Sequence, residues 1–153
     1  MANYLFTDVA GASLVFDPTQ DFLVFPAGYP AASLSFLVAG SDLLVSSGGM
    51  TVRLLNLALG GAGLTGADLV FQDGSRLVLD STGSSLRTGT VQGDWIGIDR
   101  GGNDTVAAGA GDDRIQAGSA LTASDSVDGG DGTGDVLALG GTVSLTLAPG
   151  TVQ

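Results

Sequence analysis

The chain contains no cysteine and no histidine. Reading along it finds no lysine and no glutamate either. The lack of cysteine excludes a disulfide framework, so an extracellular location would require another staple, such as a metal ion. The lack of His, Lys and Cys excludes Ser-His, Ser-Lys and thiol nucleophiles, and zinc is disfavoured without imidazole or thiolate ligands. Surface helices are normally written with Glu, Lys, Gln and Arg, so a chain short of these has little material for helix. Basic surface is scarce too, with five Arg against sixteen Asp and a net charge of −11. That argues against nucleic acid or an anionic membrane as partner, since both attract positive charge. Residues 1–20 carry no basic segment and no long apolar segment, so no amino-terminal secretion signal is expected. No run of eighteen apolar residues offers a membrane span.

What is present is aliphatic residues, 26 Gly, and acid that is all Asp. The reading is an all-β protein. Two stretches differ in grammar. Residues 1–88 are short apolar runs broken by Gly, Asp, Pro and Ser, with seven Asp against three Arg. A weak repeat runs through them: GASLVF at 11–16, AASLSF at 31–36 and GADLVF at 66–71, each followed by a second run, DFLVF at 21–25, SDLLVS at 41–46 and SRLVL at 75–79. Paired strands at that period predict a solenoid or a meander. Residues 89–153, with nine Asp against two Arg, form the second proposed domain.

In this second stretch Gly and Asp recur at short intervals. In AGAGDDRIQ at 108–116, Gly109, Gly111, Asp113 and Ile115 hold the second, fourth, sixth and eighth places of a nine-residue unit. The unit before it places Gly102, Asp104 and Val106, and GTVQGDWI at 89–96 supplies Gly89, Asp94 and Ile96. Looser copies follow: Asp125 and Val127 come after a three-residue insertion, and Gly129, Gly130, Gly132, Asp135 and Leu137 surround one extra residue.

On these residues the chain resembles the repeats-in-toxin (RTX) calcium-binding family, whose unit is G-G-x-G-x-D-x-U-x with U aliphatic. The resemblance covers residues 89–137, with departures at Gln92, Arg100 and the insertions. It implies a parallel β-roll over residues 89–140, continuous with the β-rich segment before it. It also implies several Ca²⁺ ions, held by Asp94, Asp104, Asp113, Asp125 and Asp135 with the turns at Gly102, Gly109, Gly111, Gly130 and Gly132. Bacterial origin, a cell-surface or extracellular location and type I secretion are further implications.

The underlying physics points the same way. The aliphatic eighth residue faces inward from a short strand, and the glycines permit sharp turns with positive φ. Two units make one flattened coil, and coils stack at about 4.8 Å. Asp94 then meets Asp113, Asp104 meets Asp125, and Asp113 meets Asp135. Carboxylates stacked that closely repel unless a cation lies between them, and hard oxygen donors suit Ca²⁺. Residues 89–137 are therefore expected to be largely disordered without calcium.

Other features have plainer explanations. GAGLTG at 61–66 spells a dinucleotide-binding pattern, but the strand-like ADLVF follows where a helix must begin. Asn103-Asp104-Thr105 is a formal glycosylation sequon inside a repeat. Trp95, in a seventh place, is expected to cover a neighbouring rung. Sixteen Asp make some close pair inevitable, so an acidic pair is no argument for catalysis, and the chain is expected not to be an enzyme. The expected role is a calcium-dependent structural or assembly module of a bacterial surface layer, adhesin or matrix. The alternative is the non-catalytic calcium-folding part of a type I-secreted hydrolase or toxin. SLTLAPGTVQ does not plainly resemble a carboxyl-terminal secretion signal, so the chain is expected to be a fragment of a larger protein. The uncharged runs ANYLFT and VSLTLAPGTVQ predict self-association or docking onto a neighbouring β-domain through open strand edges.

Overall fold

Apolar runs punctuated by Gly, Asp and Pro become strands of two to six residues, and the polar punctuation becomes turns, as β-branched and aromatic residues favour the pleat and Gly and Asp favour the bend. The computed structural model describes residues 1–60, 63–80, 82–119 and 121–140. Among them the only helical segments are two three-residue 3-10 turns, Ala31–Ser33 and Gly66–Asp68. No helix among the described residues is long and apolar enough to cross a membrane. The architecture is all-β, and its parallel sheets and stacked coils make it a β-solenoid. Two compact units are present, Met1–Leu77 and Val78–Gln153.

The first unit contains β1 (Asn3–Leu5), β2 (Ser13–Leu14), β3 (Phe22–Phe25), β4 (Ser35–Ala39), β5 (Asp42–Ser47), β6 (Met50–Leu54) and β7 (Leu69–Phe71). Strands β1, β3 and β7 form one parallel sheet in that order, and β2, β6, β5 and β4 form another. Both geometries left open by the repeat occur. β4, β5 and β6 are an antiparallel meander, whereas β2 pairs with β6 in parallel. The turn from β5 to β6 is the pair Gly48-Gly49, both with positive φ (57° and 80°), the backbone that a tight two-residue hairpin requires. The sheet β1-β3-β7 is held by a column of rings. Phe6 stacks on Phe25 at 4.6 Å and Phe25 on Phe71 at 4.8 Å, close to the spacing of paired strands. GADLVF enters β7 through the Gly66–Asp68 turn, which Thr65 and Asp68 cap reciprocally. A strand therefore follows GAGLTG, where a phosphate-binding fold needs a helix. ANYLFT contains β1, an edge strand of its sheet. VSLTLAPGTVQ lies outside the described residues.

Strand β8 (Leu77–Val78) starts the second coil system, followed by β9 (Leu86–Thr88), β10 (Trp95–Gly97), β11 (Thr105–Ala107), β12 (Arg114–Gln116), β13 (Ser126–Asp128) and β14 (Val136–Ala138). Even-numbered strands make one sheet, β8-β10-β12-β14, and odd-numbered strands the other, β9-β11-β13. The pairs β10–β12, β12–β14, β9–β11 and β11–β13 are parallel and place eighth residues on eighth residues, as with Ile96 on Ile115, Ile115 on Leu137 and Val106 on Val127. Ile96, Val106 and Ile115 are buried, together with Ile98, Ala108 and Ala117 two residues further on. The inward face thus takes two residues from each strand and its exit, and Ala at 108 and 117 suits a narrow interior. Strand β9 belongs to this stack although it precedes residue 89, because composition changes later than geometry does.

Candidate metal centre

Each coil turns at Gly-rich corners, and those corners stack. A Cβ at Gly109 would strike the Thr90 carbonyl oxygen, one at Gly130 the Gly109 carbonyl oxygen, and one at Gly132 the Gly111 carbonyl oxygen. At Gly111 it would meet the Gln92 carbonyl carbon at 2.7 Å, and at Gly102 the Gly83 carbonyl carbon at 2.6 Å. Gly102, Gly109, Gly111 and Gly130 also have positive φ, so close approach and backbone handedness both demand glycine. Carbonyl oxygens are thereby packed between turns. Thr90, Gly109 and Asp131 carbonyls each accept one amide, from Ala110, Asp131 and Gly111 respectively, which leaves one lone pair on each.

The predicted aspartates stand in two columns along the corners. In the first, the Asp94 N–H donates to Asp113 Oδ1 at 2.7 Å and the Asp113 N–H donates to Asp135 Oδ1 at 2.9 Å. In the second, the Asp104 N–H donates to Asp125 Oδ1 at 2.7 Å. All three expected pairs are therefore brought together, each carboxylate reaching back to the amide of its counterpart one coil earlier. The steps are 19, 22 and 21 residues, longer than two nine-residue units. The extra residues sit at the insertions noted above and at Arg100.

Burial is severe for the inner members. Asp94 is 0%, Asp113 1% and Asp104 2% exposed, while Asp125 and Asp135 are half-buried. Asp94 Oδ2 accepts the Thr90 N–H, and Asp125 Oδ2 accepts the Thr122 N–H and hydroxyl. Asp113 Oδ2 is buried without a hydrogen-bond partner. Burial pushes the Asp113 carboxyl up to about 6; the Asp94 amide opposes this, and the charges of Asp94, Asp135 and Asp112 add to it. A buried anion with one oxygen unsatisfied and like charges around it calls for a cation.

The donor set fits a hard divalent ion. It consists of carboxylates and main-chain carbonyls, and among the described residues no three Asp side chains converge on one point. Calcium at such corners would take one or two carboxylates and complete its shell with carbonyl oxygen and water, in keeping with its six to eight oxygen ligands.

Asp128 serves a local turn, and Asp112 bridges to the corner of the next coil. Asp128 Oδ1 accepts the Gly130 N–H at 3.0 Å, and Asp112 Oδ1 accepts the Gly134 N–H at 3.0 Å. Asp99 is exposed. Trp95 is 6% exposed, and its ring lies over Gly97, where a Cβ would meet it at 3.0 Å.

Three participants escape a search for the consensus. Ser85 stands one coil before Asp104, and its amide and hydroxyl both donate to Asp104 Oδ1, at 3.0 and 2.8 Å. Arg87 pairs with Val106 in register and so takes an inward eighth place. The third is Thr90, through its amide. Laying TGSSLRT at 82–88 under GGNDTVA at 101–107 at the 19-residue step would have found the first two. No protein-family model, curated protein or solved structure matches the chain, so the stacked aspartate columns carry the functional reading by themselves.

Proposed function

We propose that the chain is a calcium-dependent structural and assembly module of a bacterial surface or secreted protein, such as a surface layer, adhesin or matrix component, working outside the cell and without catalysis. The observation that carries this reading is the column Asp94, Asp113, Asp135, with a buried and unpartnered carboxylate oxygen at its centre. Asp94, Asp104, Asp113, Asp125 and Asp135 would supply the carboxylates, and the corners at Gly102, Gly109, Gly111, Gly130 and Gly132 the carbonyl oxygens. The bound ions would supply positive charge between stacked turns and link folding to their concentration. Extracellular calcium modules typically bind at about 10⁻⁴ to 10⁻³ M, so such a roll stays open in cytosol and closes outside.

Circular dichroism and light scattering followed through a calcium titration test folding and assembly together. β structure should rise with calcium, and magnesium should substitute poorly because it requires tighter octahedral geometry. Identical spectra in chelator and in millimolar calcium would remove the reading.

A further inference from the structure

The first coil of the second unit differs from those that follow. Its inward eighth place holds Arg87 instead of an aliphatic residue, in register with Val106. The Arg87 guanidinium meets Asp80 at 2.9 Å, with side chains 15% and 0% exposed. The other Asp80 oxygen accepts the Arg100 N–H at 2.8 Å. One carboxylate therefore ties the exit of β8 to the exit of β10 and to the interior of β9.

The column position that later holds Asp104 and Asp125 is here the neutral Ser85, whose hydroxyl and amide donate to Asp104. Ser84 Oγ likewise accepts the Asn103 N–H at 2.9 Å. At this corner the contact between first and second coils is hydrogen bonding between a hydroxyl and a carboxylate, where the next contact sets Asp104 against Asp125. In the buried interior of this coil the chain supplies its own cation.

We infer that the first coil, β8 and β9, closes without metal against β10 and Arg100 and acts as a built-in template, on which the coils beyond residue 101 add in order as calcium binds. This rests on the calcium-dependent folding proposed above, and it narrows the calcium-dependent part to the coils after Arg100. A flattened coil has little stability alone, since each repeat of a solenoid buries its face on a neighbour. A coil that is already closed gives the next one a partner to stack on as it forms.

Hydrogen exchange of the full chain, read by mass spectrometry in chelator and in saturating calcium chloride, tests the inference. Peptides within 82–100 should be protected in both conditions, and peptides within 121–138 only in calcium. Exchange as fast in 82–100 as in 121–138 in chelator, with both protected in calcium, would overturn the template while leaving the calcium reading intact. Protection of both in chelator would overturn the calcium reading and, with it, the ordered addition.

Arg87→Met should abolish the chelator-resistant protection of 82–100. Arg87→Lys, which keeps a charge beside Asp80, should retain most of it. Arg114→Met, in a later coil, should leave it unchanged. Retained protection in Arg87→Met would show that the ion pair is not what closes the coil. Should Arg87→Met stay unfolded even in calcium, the parent exchange pattern decides.

Discussion

Replacing Asp113 by Asn should have effects of opposite sign with and without calcium. Asp113 has one buried carboxylate oxygen without a hydrogen-bond partner. Its pKa is raised from 3.8 to about 6. A group that binds its proton more tightly when folded subtracts stability as pH rises through the interval between those values, and the loss is complete above the upper one. The size of the shift makes this about 3 kcal/mol at neutral pH. Asn keeps the oxygen that accepts the Asp94 amide and removes the charge. Its new N–H₂ needs an acceptor, which offsets about 1 kcal/mol or more of the gain. A net gain of about 1 to 2 kcal/mol remains, a factor of about 5 to 30 in the folded-to-unfolded ratio. Hydrogen exchange of residues 105–138 in chelator reads this ratio, and Asp113→Asn should be the better protected. In calcium the order should invert, because the variant lacks a ligand charge. The parent should also gain order in chelator as the medium is acidified below about 6, and the variant should lose most of that dependence. If Asp113→Asn is less ordered than the parent in chelator, the buried carboxylate is not a source of strain and the cation argument fails.

Asp113→Ala should weaken calcium affinity more than Asp128→Ala, because Asp113 belongs to two stacked pairs and Asp128 only caps a turn; isothermal titration with the reverse ranking would show the register to be wrong. Gly109→Ala should destabilise the calcium-loaded roll by more than about 2 kcal/mol in urea denaturation, since it combines positive φ with a collision against the Thr90 carbonyl. Ile115→Ala should cost about 2 to 5 kcal/mol by the same assay, as Ile115 is 2% exposed in the inner cluster. Analytical ultracentrifugation should find calcium-dependent oligomers, and a strictly monomeric chain at high concentration in saturating calcium would dismiss self-assembly.

The roll was legible because its signals are local and periodic. Asp94, Asp104, Asp113, Asp125 and Asp135 fall into two columns at the expected pairings, since a fixed step between Asp and aliphatic residue sets both corner and strand. Ser85 and Arg87 were hidden because they obey the register while breaking the composition. A hydroxyl can replace a carboxylate as amide partner, and a buried guanidinium can replace an aliphatic side chain once it has an anion to meet. The first unit was legible only as strands. Nothing in GASLVF or AASLSF distinguishes a strand that pairs in parallel, as β2 does, from one that turns back, as β4 does. The distinction lies in the connections, of which Gly48-Gly49 is the plainest, and in the long-range meeting of Phe6, Phe25 and Phe71.

The unequal steps of 19, 21 and 22 residues bear on how such a chain changes over generations. Register is fixed at the strands and at the carboxylate-to-amide bonds, so residues added between those points swell a corner outward without shifting any rung. Slippage that inserts a few codons between rungs is then tolerated. Duplication of one coil lengthens the stack by a further layer and repeats the same corner chemistry. A coil cut short by two or three residues has no comparable slack, because the corners already lie in backbone contact. Such a lineage should drift toward longer and more numerous coils more readily than toward tighter ones.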